Sequence, residues 1–378
     1  MRILQVISSM GKGGAERYVA DICVEFNKRT NVEVMLVSMN NINHYEFLTN
    51  SINFRVTTSK VLPSITSKSV IEIDDFLSIV AKFKPDIIHS HLFHTELLTR
   101  HLTDENITYV TSCQNNMPEF ENMSARNIFK KSSLTKYFEK LWIINKYKAC
   151  KNNFIVISKN TEKYYKSVLP KQLSSIHLLY HAINFERFNR VNYKRTVGVG
   201  KIILVYVARF VPIKNQQFLV DITLKIKNLG YDVETVLIGD GETKNSVFEK
   251  IKKYNLESNI KLVGLVDNVE DYLKEANIYV HPATYEPFGL VIIEAMAAGL
   301  PVICLNGKGN RDIIIDDYNG FMFDEENAEL FANKIISLYK NQIQYTMISE
   351  NAVKYAAEFK IENHVDKLIK LYELFISK

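Results

Sequence analysis

The stretch Tyr285-Glu286-Pro287-Phe288-Gly289-Leu290-Val291-Ile292-Ile293-Glu294-Ala295-Met296-Ala297-Ala298-Gly299-Leu300-Pro301-Val302 contains a turn, a helix and a stop in order. Pro-Phe-Gly makes the turn, an apolar helix begins at Gly289, and Gly-Leu-Pro ends it. Short apolar runs at 278–280 and 302–305 flank it as strands. Apolar strands separated by a helical pattern predict a parallel sheet with helices on its faces. Two carboxylates, Glu286 and Glu294, stand in this segment with seven residues between them. An acid on so apolar a helix is costly unless something binds it, and a ligand is the expected partner.

The same alternation runs through the chain. Strands are expected at 3–8, 32–37, 86–90, 109–112 and 153–157, with a helix at 15–28. The pattern then restarts, with strands at 201–207, 234–238 and 259–263 and a helix at 216–229. A last helix is expected at 350–376. The fold class is therefore α/β, with two Rossmann-like domains. The polar stretch 184–200 divides them, which gives a domain 1–190, a domain 191–355 and a terminal helix 356–378. A chain of 378 residues is long enough for two cores. In such sheets ligands sit beyond the carboxyl ends of the strands, so polar residues just after strands are the candidates.

Composition bounds the class. The chain is 47% hydrophobic and 24% charged, as a globular protein is, and carries no low-complexity run. The net charge of +5 is uneven: residues 1–190 hold 25 Lys+Arg against 17 Asp+Glu (+8), and the rest 22 against 25 (−3). An anionic partner is expected at the basic half, and no nucleic acid. Cys23, Cys113, Cys150 and Cys304 form no CxxC pair and are expected as free thiols in a reducing compartment. No apolar run approaches the ~20 residues that span a bilayer. The start shows no signal peptide, and a cytoplasmic location is expected.

After the first strand, Gly11-Lys12-Gly13-Gly14-Ala15-Glu16 suits close approach to a phosphate at a helix N-terminus. It is neither the dinucleotide fingerprint nor a P-loop, and a plain tight turn suits it equally. Arg209 and Lys214 follow a strand and precede a helix, a position from which both can reach one anion. Gly239-Asp240-Gly241-Glu242 follows another strand, as simple turn chemistry or as a nucleotide pocket wall. Near Val266 a strand end offers backbone to a flat base. Backbone N–H groups at Phe288, Gly289 and Leu290 are available at the helix start. Glu286 and Glu294 can each accept from a vicinal diol.

His89, His91 and His94 invite a metal reading, but no Cys or carboxylate stands close by in sequence, and a strand end is the expectation. No Asp-x-Asp handle for Mg²⁺ is present, so a metal-independent reaction is expected. The segment 126–151 carries Arg126, Lys130, Lys131, Lys136, Lys140, Lys146, Lys148 and Lys151 against Glu139 alone. Apolar residues interleave with them. Such a helix can lie on an anionic membrane surface or simply pack on the first sheet.

Taken in order, these pieces resemble the family 4 retaining glycosyltransferases, which have the GT-B fold. They are Gly13-Gly14-Ala15-Glu16, Ile87-Ile88-His89-Ser90-His91, Val156-Ile157-Ser158-Lys159, Arg209 through Lys214-Asn215, Gly239-Asp240-Gly241-Glu242, and Glu286-Pro287-Phe288-Gly289 with Glu294. The combined order is specific, and each piece alone is weak. The resemblance implies two domains facing a cleft and a C-terminal helix that crosses back to the first. It implies a nucleotide-diphosphate sugar, of UDP or GDP type, as co-substrate, with no other cofactor. By the resemblance, Arg209 and Lys214 bind the diphosphate, Glu286 faces the donor sugar and Glu294 holds the ribose. The backbone at 288–290 contacts sugar and phosphate, and Gly13-Gly14 closes on the donor. The implied acceptor is a polysaccharide or a lipid-linked oligosaccharide, used at the inner face of the membrane. Where the family often has a His near the donor sugar, this chain reads Thr111-Ser112-Cys113-Gln114-Asn115-Asn116, so Gln114 or Asn115 stands in. The family's Asn-Gly-Ile-Asp appears as His181-Ala182-Ile183-Asn184, and its Gly-Gly-x-x-Glu as Lys308-Gly309-Asn310-Arg311-Asp312. The competing readings are a non-catalytic nucleotide-sugar binding subunit and a sugar-nucleotide epimerase of the same shape.

Overall fold

The structure is a computed structural model. It describes all residues except 65–67, 118–119, 121–130, 151, 170–174, 190–194 and 378. The chain forms two compact units, Met1–Ala182 with Ile361–Lys378, and Ile183–Lys360. The division expected at 190/191 falls outside the described residues. Helix Phe185–Phe188, with both phenylalanines buried, packs on helix Leu290–Ala297 of the second unit.

Unit 1 holds β1 (Arg2–Ile7), β2 (Glu33–Ser38), β3 (Asn53–Val56), β4 (Lys60–Leu62), β5 (Val70–Glu72), β6 (Ile87–His91), β7 (Thr108–Cys113), β8 (Asn152–Val156) and β9 (Ile176–Leu178). Seven of them form one parallel sheet in the order β3-β2-β1-β6-β7-β8-β9, and β4 and β5 pair apart as an antiparallel couple. The central strands β1 and β6 are buried on both faces. Unit 2 holds β10 (Ile202–Val207), β11 (Val233–Ile238), β12 (Ile260–Gly264), β13 (Ile278–His281), β14 (Val302–Leu305) and β15 (Gly320–Phe323). Its parallel sheet runs β12-β11-β10-β13-β14-β15.

The helix expected at 350–376 is two helices, Gln342–Ala356 and Ile361–Ile376. Between them lies a 3-10 turn, Ala357–Phe359, and Lys360 is extended (φ −61°, ψ 136°). Lys360 bridges to Ile183, and the Ile183 N–H donates to the Phe359 carbonyl at 2.9 Å. A residue in a bridge cannot also be helical, yet apolar spacing runs on through it. Helix Ile361–Ile376 belongs to unit 1, and buries His364, Val365, Leu368, Ile369, Tyr372 and Phe375 along one face.

That face also carries polar groups into the core. The Gln114 amide donates to His91 Nδ1 (2.9 Å), and His91 Nε2–H donates to the Gln5 carbonyl oxygen (2.7 Å). The Gln5 amide then donates to the Tyr372 hydroxyl (3.1 Å), which donates to His89 Nδ1 (2.6 Å). Tyr18 hydrogen-bonds His364 (2.6 Å) and stacks on His181 at 4.0 Å. The His89 and His91 rings stand 4.4 Å apart, and both take hydrogen bonds from protein neighbours. Among the described residues no cluster of three or more His, Cys, Asp or Glu can hold a metal. The described cysteines are free thiols.

Burial holds His89 and His181 well below the usual histidine range, His91 at about 3 and His364 at about 4. In the unfolded chain the same groups titrate near their ordinary value of about 6.5. Between those limits the unfolded state binds more protons, so this contribution is fully present above about pH 6.5 and is lost as pH falls toward 4. Each histidine that stays neutral costs about 1.4 kcal/mol per pH unit in that window. The thermal midpoint of unit 1 is therefore expected to fall steadily from pH 6.5 to 4. A flat midpoint over that range in circular dichroism melts would contradict the buried neutral cluster.

Candidate functional site

Five loops follow β12, β11, β10, β13 and β14 at the carboxyl edge of the unit 2 sheet, and backbone hydrogen bonds lace neighbours together. Gly239 N–H donates to the Gly264 carbonyl (2.8 Å), and Phe210 N–H to that of Asp240 (2.8 Å). Thr284 N–H donates to the Ile213 carbonyl (3.0 Å), and Glu286 N–H to that of Gly307 (2.8 Å). Gly309 N–H returns a bond to the Glu286 carbonyl at 2.9 Å. Gly239 is required here: its φ is +133°, and a Cβ would collide with the Ala208 carbonyl oxygen.

On this platform Lys214 and Glu286 meet. Lys214 ends the 3-10 turn Pro212–Lys214, and its carbonyl accepts from the buried Tyr206 hydroxyl at 2.9 Å. Its Nζ donates to Glu286 Oε2 at 2.7 Å. His281, the last residue of β13, is fully buried with Nε2 3.1 Å from the same oxygen, and the Tyr206 ring meets it edge-on. Burial pushes the Glu286 carboxyl up, but the Lys214 charge and then His281 outweigh it and hold the group at about 2. Glu286 is thus an acceptor at neutral pH and not a proton donor. Burial keeps the His281 imidazole below its usual range despite the adjacent carboxylate.

Lys214 and His281 offset the burial of Glu286 within the protein, while Glu294, the acid on the apolar helix for which a ligand is expected, is half-buried. Arg209 and Lys214 also differ. The Arg209 carbonyl is held by the Gln216 amide at 2.9 Å, while its side chain is exposed and makes no ion pair among the described residues. Lys214 is engaged with Glu286.

Gly289, at φ +111°, caps helix Leu290–Ala297, and a Cβ there would lie 2.9 Å from Ile292 Cδ1. The N–H groups of Ile292 and Ile293 turn back to the Gly289 carbonyl, so those of Gly289 and Leu290 precede the first intrahelical bond. Phe288 is buried against Phe359, which makes its side chain a packing anchor. Glu294 is half-buried one turn into the helix. The Tyr279 hydroxyl is pushed well up by burial and further by the charges of Glu286 and Glu294. Val266 is half-buried just after β12.

Gly13 and Gly14 lie in unit 1, at the start of helix Gly14–Phe26. Gly13 N–H donates to the Tyr45 hydroxyl (3.2 Å), which donates to the Gly13 carbonyl (3.1 Å). Glu16 folds back over Gly13 where a Cβ would stand. In the basic segment, Arg126, Lys130 and Lys151 lie outside the described residues. Lys140 and Lys146 turn inward, donating to the carbonyls of Phe120 and His101 at 2.9 Å each.

Sequence reasoning missed His281 and Tyr206, and it noted Lys308-Gly309-Asn310 only as the counterpart of the family's Gly-Gly-x-x-Glu, not as a brace for Glu286. A histidine closing an apolar strand is the signal that could have found the first. Asn310 is fully buried and accepts from Gly307 N–H at 2.9 Å, which shapes the brace behind Glu286.

Comparison with known proteins extends the picture. The family model described as "Glycosyltransferase Family 4" matches residues 12–187, and that described as "Glycosyl transferases group 1" matches residues 192–355. An uncharacterized glycosyltransferase of Methanocaldococcus jannaschii is 31% identical over 215 residues, 56% of this chain and 57% of that protein. The UDP-Gal:alpha-D-GlcNAc-diphosphoundecaprenol alpha-1,3-galactosyltransferase of Escherichia coli is 28% identical over 173 residues, 45% of each chain. The matches thus span about half the length of these curated relatives. Among solved structures, Anabaena HepE in complex with UDP and glucose superposes with a TM-score of 0.78 over 99% of both chains at 18% identity, a likeness of fold.

Proposed function

Because this chain belongs to glycosyltransferase family 4, with two parallel-sheet units of the GT-B type, we propose that it moves a sugar, with retention, from a nucleotide-diphosphate sugar to a lipid-linked oligosaccharide. The observation that carries the donor half of this proposal is the Lys214–Glu286 pair, set beside an exposed Arg209 at the carboxyl edge of the unit 2 sheet. An incoming diphosphate would draw on Arg209 and Lys214, which offset the charge that builds on the departing nucleotide. That offset lets the reaction run without a metal ion. Glu286, anionic at neutral pH, accepts from a donor-sugar hydroxyl, and Glu294 accepts from the ribose. The bond from the anomeric carbon to phosphate breaks, and the acceptor oxygen bonds that carbon on the same face. The acceptor's proton passes to the departing phosphate oxygen. The Escherichia coli relative, named for a diphosphoundecaprenol acceptor, supports an acceptor of that class. Its setting would be assembly of a cell-surface polysaccharide at the cytoplasmic face of a membrane. No helix among the described residues is long and apolar enough to cross a membrane.

The test is a panel of UDP- and GDP-sugars incubated with the protein and undecaprenyl-diphosphate-linked acceptors, read by mass spectrometry. A lipid product heavier by one sugar, with equimolar free nucleotide, is expected. Tight donor binding with neither release nor transfer would replace the proposal with a binding subunit. Isomerised donor without acceptor would replace it with an epimerase.

A further inference from the structure

Glu286 has two carboxylate oxygens, and the fold of unit 2 occupies one of them. Oε2 accepts from Lys214 Nζ at 2.7 Å, and His281 Nε2 stands 3.1 Å from the same oxygen with its N–H off the direct line. Oε1 has no partner among the described residues, and the side chain remains 10% exposed. The stem of the acid is fixed by packing. A Cβ at Gly307 would stand 2.9 Å from Glu286 Cβ, and one at Gly289 would stand 3.4 Å from Glu286 Cγ, so bare backbone lies against it in two places. Rotation about the last bond would exchange the two oxygens, and only the contacts to Oε2 oppose it.

Those two contacts are of different kinds. The Lys214 side chain is 19% exposed, and in the donor reading above it is drawn to the diphosphate. His281 is fully buried at the end of β13, beside the rings of Tyr206 and Tyr279, and has nowhere else to turn. A carboxylate oxygen only accepts, so the ring nitrogen 3.1 Å from it carries the proton. Nδ1 is buried without a partner. A neutral ring leaves a lone pair there, whereas an imidazolium would leave a buried N–H unpaired, which costs more. Burial opposes the imidazolium in the same sense.

We propose that His281 is a positioning residue for the donor sugar: its neutral imidazole, through Nε2–H, keeps hold of Glu286 Oε2 when Lys214 turns to the diphosphate, and so keeps Oε1 toward a sugar hydroxyl. His281 touches no substrate itself. It acts through Glu286, as the supporting contact that keeps a binding group in one orientation. The proposal rests on the donor reading above, and adds which oxygen meets the sugar and what keeps it there.

Calorimetric titration of the full chain with UDP, GDP and the corresponding UDP- and GDP-sugars tests it. His281→Leu should weaken binding of the preferred nucleotide sugar at least tenfold, and shift binding of the matching free nucleoside diphosphate less than twofold. His281→Gln, which returns an N–H to the same side, should regain most of the lost affinity. The double variant His281→Leu with Glu286→Gln should lose no more than Glu286→Gln alone, because the two residues act as one unit. Unchanged sugar affinity in His281→Leu, an equal loss for the nucleotide and its sugar, or losses that add in the double variant would each overturn the proposal. Histidine-selective ¹⁵N NMR of the unsubstituted chain, assigned with His281→Gln, needs no leucine variant to fold. It should show His281 neutral and protonated on Nε2, and a proton on Nδ1 overturns the proposal. Failure of the donor reading is a separate result: the unsubstituted chain would then bind no nucleotide sugar, and this proposal would fall with it.

Discussion

Lys214→Ala is expected to lower sugar transfer by at least a hundredfold while both units stay folded. Two separate losses add up to that figure. A preorganised donor aimed at developing charge is worth about 10²–10³ in rate when removed, and Lys214 is proposed to meet the charge on the leaving diphosphate. Its Nζ also holds Glu286 Oε2 at 2.7 Å, so the variant releases the acid expected to face the sugar. The second loss has a stability signature with a definite sign. The Glu286 carboxyl is held at about 2 in the folded protein, against a usual value of about 4.5. Its contribution is present above about pH 4.5 and is lost as pH falls toward 2. Removing Lys214 should therefore destabilise unit 2 by about 2–3 kcal/mol at pH 7, and by much less at pH 3. Lys214→Ala combined with Glu286→Gln should recover most of that stability and none of the transfer. Urea unfolding at the two pH values and initial rates at saturating donor measure both effects. Unchanged transfer in the single variant would remove Lys214 from the donor site.

Arg100→Leu should cost about 3–5 kcal/mol in unit 1, because it leaves a buried carboxylate without its cation. Arg100 and Glu96 are both fully buried, with their nearest charged atoms 3.7 Å apart. The guanidinium donates to Asn152 Oδ1 (2.8 Å), Ser90 Oγ (2.8 Å), Thr99 Oγ1 (2.6 Å) and the Val110 carbonyl (3.0 Å). It thereby ties helix Phe93–Thr99 to β6, β7 and β8. Glu96 in turn accepts from Thr111 at 2.8 Å and Tyr147 at 3.0 Å. Removing both charges should do less harm than removing one, so Arg100→Leu with Glu96→Leu is expected to regain part of the loss. The single tryptophan, Trp142, lies in unit 1 and reports its transition by fluorescence. A shift below 1 kcal/mol in the single variant would mean that the pair contributes little.

The strands expected from apolar runs appear within a residue or two of their places, because a strand covered on both faces is mostly apolar. The edge strands β3, β9 and β15 were not legible. They are short, and β3 and β9 lack fully buried residues, so half-buried side chains leave no continuous apolar signal. The break at Lys360 was hidden for a different reason. Helical spacing runs through it, and only pairing with Ile183, far away in the chain, makes the backbone extended there.

At the site the division is similar. Arg209, Lys214 and Glu286 were legible because each follows a strand near a glycine or proline turn, and Glu294 because it is an acid inside an apolar helix. His281 was hidden inside an apolar run, and Tyr206 looked like an ordinary strand residue. Arg100 and Glu96, four apart on a helix, carried no sign in the chain that both would be fully buried.

By itself, the sequence determined the two-sheet α/β architecture, the family, and which loops carry the polar residues. Periodicity, turn chemistry and motif order are local properties, and a chain displays them directly. Only the tertiary structure decided the state of those residues. It showed that Glu286 is balanced by Lys214 and His281, that Arg209 is exposed, and that Lys140 and Lys146 point inward while Leu134, Tyr137 and Leu141 are exposed. Charge balance and exposure depend on neighbours tens to hundreds of residues away, and those neighbours are fixed only when the sheets and helices pack.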